Sequence, residues 1–91
     1  MKTVVLLTGA AGGIGQAICA ELIRRGMQLI LADINETPLR ALAEQLGADA
    51  HPYVVDLTDR ERLEGLMSYI ESEFGRLDVL INNAAIAVVE A

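Results

Sequence analysis

Apolar residues along this chain alternate between two patterns. Short aliphatic runs of strand length sit at Thr3 Val4 Val5 Leu6 Leu7, at Leu29 Ile30 Leu31, at Tyr53 Val54 Val55 and at Leu77–Asn82. Between them, apolar positions recur at the spacing of one helix face. Ile14, Ala17, Ile18, Leu22 and Ile23 mark a first helix, closed by Arg24 and Arg25 where a helix C-terminus prefers cations. The second strand runs from Met27 to Asp33. Asn35 is then placed to cap a second helix, with Pro38 in its first turn and Leu39, Leu42, Ala43 and Leu46 as its apolar stripe. The third strand, Tyr53 Val54 Val55, ends at Asp56. Thr58 and Glu61 have the S/T-x-x-E spacing of a capping box for a third helix, with the stripe Leu63, Leu66, Met67, Ile70 and Phe74. Gly26, Gly47 and Gly75 each follow a helical pattern, where a left-handed C-cap is expected. No internal repeat, low-complexity tract or linker interrupts the series.

The resulting string is βαβαβαβ, an α/β fold with a doubly wound parallel sheet. Right-handed crossovers step the first three strands one way and return the fourth to the other side of the first, giving the order 3-2-1-4. The topological switch lies between strands one and four, and ligands of open α/β sheets bind in the crevice at the carboxyl ends there. Residues 1–91 form one domain, which stops nine residues after the fourth strand.

Composition narrows the partners. Hydrophobic residues make up 53% of the 91, but aromatics only 3%, the aliphatic interior expected of a parallel sheet covered by helices. A chain this long can bury roughly 60–70% of its unfolded surface. The net charge of −6 argues against nucleic acid or an anionic membrane surface. Any phosphate bound must therefore be held by backbone amides. The apolar run after Lys2 stops at Thr8 and Gly9, short of the roughly 7–15 residues of a signal-peptide core, and no run approaches the length of a membrane span. Cys19 is the single cysteine, so no internal disulfide is possible. The expectation is a soluble, cytoplasmic domain.

The candidate chemistry lies in Thr8–Gly15, T-G-A-A-G-G-I-G, between the first strand and the first helix. Glycines there permit positive φ and let an anion approach the backbone without meeting a Cβ. The first helical N–H groups lack internal partners and point at that anion, assisted by the helix dipole. Thr8, Gly9, Ala11, Gly12, Gly13, Ile14 and Gly15 are thus candidate phosphate-site residues; a glycine-rich turn without a ligand is the plainer alternative. Asp33 ends the second strand, with Ile34 beside it. A carboxylate there can accept hydrogen bonds from both adenosine ribose hydroxyls and would repel the extra phosphate of NADP. Its plainer role is a solvated aspartate capping the next turn.

The spacing of Gly9, Gly13 and Gly15 is G-x-x-x-G-x-G, preceded by Thr8. Together with Asp33, the V-D-L-T-D stretch after the third strand and Asn82 Asn83 Ala84 Ala85 after the fourth, it resembles the coenzyme-binding half of the short-chain dehydrogenase/reductase family. The resemblance covers essentially the whole chain and implies a Rossmann-type fold binding a dinucleotide, with NAD preferred over NADP. Gly12 stands where NADP-preferring members often carry a basic residue. It also implies that Asp56 and the Leu57 amide meet the adenine edge, although Asp56 could instead help cap the helix that Thr58 starts. Asn82 and Asn83 would bridge neighbouring strands, and the backbone through Ala84 would line the cofactor ribose. Ala85 replaces the glycine usual in that motif; if the position needs positive φ, alanine is unfavourable there.

The family's chemistry is hydride transfer between nicotinamide and a carbonyl/alcohol pair, using Tyr, a Lys four residues later, Ser and Asn. The only tyrosines here are Tyr53 and Tyr69, followed four residues on by Leu57 and Glu73. Both read as structural, Ser68 and Ser72 have no base beside them, and His51 before Pro52 reads as a surface residue. No catalytic or metal-binding constellation is present in the sequence. The chain is therefore expected to be the NAD-binding part of such an oxidoreductase, inactive alone, or else a non-catalytic stand-alone nucleotide-binding or assembly module. A fourth strand left at the sheet edge has unpaired backbone groups. With Val79 and Ile81 on one face and Leu80 on the other, self-association through that edge or through a bare sheet face is expected. Half a cofactor cleft should also bind weakly.

Overall fold

A computed structural model describes residues 2–83 of the chain. The order is β1 (Val4–Thr8), α1 (Gly13–Arg24), β2 (Gln28–Asp33), α2 (Glu36–Leu46), β3 (Ala50–Val54), α3 (Arg60–Phe74) and β4 (Val79–Asn82). All four strands join one parallel sheet in the order β3-β2-β1-β4, the expected doubly wound arrangement. Val5 lies between Leu29 and Val79, and Thr8 between Ala32 and Asn82. β1 is interior to the sheet, and all five of its residues are buried.

Side-chain alternation divides the interior into two cores. Val5, Leu7, Leu29 and Leu31 pack with Cys19 of α1 and with Leu39, Leu42 and Ala43 of α2. Val4, Leu6, Ile30 and Ala32 face the other way, onto Leu66 and Ile70 of α3. Fully burying an aliphatic side chain contributes about 1.5–3 kcal/mol, so these two layers hold the sheet and place the strand ends. Ile81 packs with the first core, whereas Leu80 on the α3 side stays 59% exposed. Burial of Cys19 pushes its thiol pKa up to about 11, as suits an inert core residue.

Several local expectations are corrected. β3 begins at Ala50 and contains His51 and Pro52; proline is tolerated because β3 is an edge strand, where no neighbour needs the missing N–H. Val55 lies past its end but is buried, and its N–H donates to the Asp33 carbonyl at 3.0 Å. Thr58 and Glu61 do not form the capping box. Asp59 is the N-cap of α3, its Oδ1 accepting from the amides of Glu61 at 3.1 Å and Arg62 at 3.3 Å. The Thr58 hydroxyl is engaged elsewhere, donating to Asp56 Oδ1 at 2.6 Å. Asn35 does hold the N-cap position of α2, but its side chain makes no capping bond. Ile14 and Ala17 are exposed, because α1 turns Gly15 and Cys19 inward instead. Leu63 and Met67 of the α3 stripe are 38% and 44% exposed. Gly26, Gly47 and Gly75 all have positive φ, but Gly47, with ψ −164°, is outside the left-handed helical region.

Candidate nucleotide-binding site

The carboxyl ends of β1 and β2 converge on an open pocket of about 410 Å³. It is lined by Gly9, Ala11, Gly12, Gly13, Ile14, Asp33, Asn35, Pro38 and Asn83. Two glycines have separate steric reasons. Gly9 turns the chain out of β1 with φ 69°, a conformation costly for any residue with a Cβ. At Gly15 an added Cβ would stand 2.6 Å from the Gly9 carbonyl oxygen and 2.8 Å from that of Ala10, so the helix could not sit against its own loop. At Gly13 an added Cβ would meet nothing within 4 Å; the space in front of it belongs to the pocket.

Hydrogen bonds fix the loop. The amides of Gly9 and Ala10 donate to the Ala32 carbonyl at 2.9 and 3.3 Å. The Ala11 amide donates to Asp33 Oδ2 at 3.1 Å, and the Asn35 amide to Asp33 Oδ1 at 2.9 Å. Asp33 thus ties the glycine loop to the end of β2 while its carboxylate remains on the pocket wall. The loop is closed further by the Gln16 side chain, whose Nε2 donates to the Ala11 carbonyl at 3.0 Å. The first turn of α1 is treated differently from that of α3. Its N-cap, Gly12, offers no side-chain acceptor, so the Gly13, Ile14 and Gly15 amides are left to the positive end of the helix dipole. No acidic residue occupies that first turn.

The fourth strand closes the site from the other side. Thr8 Oγ1 donates to Asn82 Oδ1 at 2.8 Å and accepts from the Asn83 amide at 3.1 Å. Asn83 Nδ2 donates to the Gly9 carbonyl at 3.3 Å. Both asparagines therefore bridge β4 to β1. Of the sequence candidates, Gly9, Ala11, Gly12, Gly13, Ile14, Asp33 and Asn83 line the pocket together. Thr8 and Gly15 are buried behind it, and Ile34 is exposed beside Asp33. Asp56 and Leu57 are not brought onto the pocket wall. Asp56 Oδ1 accepts from the side chain and amide of Thr58, which holds its carboxyl below the usual carboxylate range, and Leu57 packs toward α3. Asn82 faces the α3 side, and Ala84, with Ala85, lies outside the described residues. Asn35 and Pro38, marked in the sequence only as the start of the second helix, also line the pocket. Their positions just past a strand-end aspartate were the available signal.

The chain matches the family model described as short chain dehydrogenase over residues 3–91. It belongs to the short-chain dehydrogenase family. The chain is 37% identical over 83 residues to the 3-oxoacyl-[acyl-carrier-protein] reductase FabG of Escherichia coli, covering 91% of this chain and 34% of that protein. It is 39% identical over 87 residues to the D-threitol dehydrogenase of Mycolicibacterium smegmatis, covering 92% of this chain and 34% of the relative. Among solved structures, the menthone neomenthol reductase of Mentha piperita superposes with a TM-score of 0.88 at 32% identity, covering 94% of this chain and 32% of that one. The chain spans about a third of the length of the relatives it matches.

Among the described residues, no three His, Cys, Asp or Glu side chains come together as a metal site, and no helix is long and apolar enough to cross a membrane. Tyr53 and Tyr69 pack against each other with ring centroids 4.9 Å apart, and Tyr69 meets Phe74 edge-on.

Proposed function

We propose that this chain is the NAD-binding portion of an oxidoreductase that transfers hydride between nicotinamide and a carbonyl/alcohol substrate. The observation that carries the reading is Asp33. Its carboxylate is locked by two amides onto the same pocket wall as the uncapped first turn of α1. A pyrophosphate fits the Gly13, Ile14 and Gly15 amides, and the adjoining ribose hydroxyls would donate to Asp33. An extra phosphate on that ribose would meet a carboxylate instead, so NAD is preferred over NADP. Ile34 would cover the adenine and Asn83 and Ala84 would lie along the second ribose, while Asp56 and Leu57, off the pocket wall, would meet the adenine edge only where the ligand extends past the pocket toward α3. Bound there, the dinucleotide supplies the hydride donor or acceptor.

The chain itself contributes binding, not chemistry. Its two tyrosines are engaged in an aromatic cluster on the α3 side, neither followed by the lysine that the family's acid/base pair requires. We therefore place this chain among dinucleotide-binding pieces without dehydrogenase activity of their own, self-associating through β4 or the bare part of the α3 face. Net charge −6 sets aside nucleic acid and anionic membrane partners, and the unpaired Cys19 suits the cytoplasm.

Calorimetric titration with AMP, NAD and NADP tests the reading. AMP and NAD should bind with similar, weak affinity, and NADP much more weakly. Equal affinity for NAD and NADP would remove Asp33 from the role given to it, and substrate-dependent NADH production by the purified chain would overturn the inactivity.

A further inference from the structure

Ala11 is held at both ends, by side chains from different elements. Its amide donates to Asp33 Oδ2 at 3.1 Å, and its carbonyl accepts from Gln16 Nε2 at 3.0 Å. The first bond belongs to the ribose-reading wall proposed above; the second has no place in it. Gln16 is the fourth residue of α1, and helical side chains lean back toward the N-terminus, so it reaches the loop it follows. It is exposed and lies off the pocket wall, whereas Ala11 and Gly12 form part of that wall. The two bonds also fix different peptide planes. Asp33 holds the one before Ala11, and Gln16 holds the one between Ala11 and Gly12.

That second plane is free to turn unless something holds it. Gly12 has φ −77° and ψ 167°, which any residue can adopt. An added Cβ there would meet only the Gly9 carbonyl oxygen, at an ordinary 3.7 Å. Neither conformation nor space requires glycine in the loop as it stands. What the missing Cβ permits is a second orientation. Reversing the Ala11–Gly12 peptide carries φ of Gly12 by about 180° into the positive range, which glycine enters freely and other residues avoid. Two bonds oppose the reversal. The Gly12 amide donates to the Gly9 carbonyl at a long 3.4 Å, and the Gln16 bond is the shorter of the two.

We propose that Gln16 is a positioning residue for diphosphate binding, keeping the Ala11 carbonyl turned away from the anion's place at the start of α1. The proposal rests on the nucleotide reading above and adds what keeps its phosphate site receptive. A carbonyl oxygen carries partial negative charge, so a reversed peptide sets repulsion beside the Gly13, Ile14 and Gly15 amides. Only chains with that carbonyl turned away then accept the anion, and apparent affinity falls with their fraction. Adenosine alone is indifferent to the reversal. Its ribose meets Asp33, whose bond to the Ala11 amide lies on the other peptide plane. Gln16 therefore acts on the phosphates and not on the nucleoside, whereas a general brace of the pocket would act on both.

Calorimetric titrations of the whole chain with ADP and with adenosine test this. Gln16→Met keeps the length and helix propensity of the side chain and removes its donor. It should weaken ADP about three- to tenfold, the net worth of one intramolecular hydrogen bond, and leave adenosine affinity unchanged. Gly12→Ala confines φ at residue 12 to the observed side, so it should make Gln16 dispensable. In that background Gln16→Met should change ADP affinity by less than about twofold. An ADP affinity unmoved by Gln16→Met alone, ADP and adenosine weakened alike, or an undiminished loss in the Gly12→Ala background would overturn the positioning role and leave the nucleotide reading standing. If Gly12→Ala itself binds no ADP, the split between ADP and adenosine in Gln16→Met decides. A wild-type chain that binds neither, or ADP no more tightly than adenosine, would sink the phosphate site and this proposal with it.

Discussion

The two faces of the sheet are built from the same strands and are finished to different degrees. On one face, α1 and α2 cover Val5, Leu7, Leu29 and Leu31, and Cys19, Leu39, Leu42 and Ala43 complete a continuous core. On the other, α3 alone covers Val4, Leu6, Ile30 and Ala32, and the cover thins toward β4, where Leu63, Met67 and Leu80 are exposed. Crossover handedness explains the contrast. Helices between strands stepping one way share a face, and the return to β4 puts α3 on the opposite one. Burial at a given leucine thus follows from its place in the winding order more than from its neighbours in sequence.

Substitutions on the two faces can break that contrast, and the largest effect belongs to the closed side. Leu31→Ala, at a residue with no exposed surface, should cost about 2–5 kcal/mol in urea unfolding. Leu80→Ala on the open side should stay within about 0.5 kcal/mol, as an exposed site does. Equal costs would mean that the open face is covered in solution. Gly15→Ala comes next, because its Cβ would strike backbone oxygens that no rotamer change can move; a loss of about 1–3 kcal/mol is expected in the same measurement. Asp59→Ala should cost about 1 kcal/mol by leaving the first-turn amides of α3 without their acceptor, whereas Thr58→Ala should cost less.

The smallest effect is one of pH. The Arg76 guanidinium, and then the Val4 amide, hold the Asp78 carboxyl below its ordinary range. A carboxyl depressed in the fold stabilises above the ordinary carboxylate range and loses that contribution as pH falls through its folded value. In thermal melts the gap between the wild type and Asp78→Asn should therefore be present at neutral pH and close as pH drops below about 4.

How much of this was legible beforehand depended on the kind of signal. Element order, strand order and the division into two faces were readable because aliphatic runs and helical stripes are long, repeated patterns. Local chemistry was not. Thr58 and Asp59 are adjacent, both fit an N-cap, and only the three-dimensional course of the chain assigns Thr58 to Asp56 and leaves Asp59 for the helix. The third strand was read from Tyr53 onward, yet it also takes in His51 and Pro52, because an edge strand tolerates a proline. Ile14 fits a helical stripe by spacing, yet it is 71% exposed because the loop before it turns the first residues of α1 toward the pocket. The glycine loop and Asp33 were readable as neighbours at the strand ends, and they share one pocket wall, but the hydrogen bond from Ala11 to Asp33 joins residues 22 apart in the chain and has no sequence signature.

That bond limits how the pocket can be redesigned. Each oxygen of Asp33 receives one backbone proton, from Ala11 or from Asn35, so the carboxylate is a strut as well as a wall. Swapping it alone for a basic or neutral residue, to admit a phosphorylated ribose, would leave at least one amide without its acceptor and slacken the loop meant to grip the new ligand. Under the proposed function, a cofactor switch in this scaffold would therefore call for a paired change, one that alters the charge at Asp33 and supplies a replacement brace for Ala11.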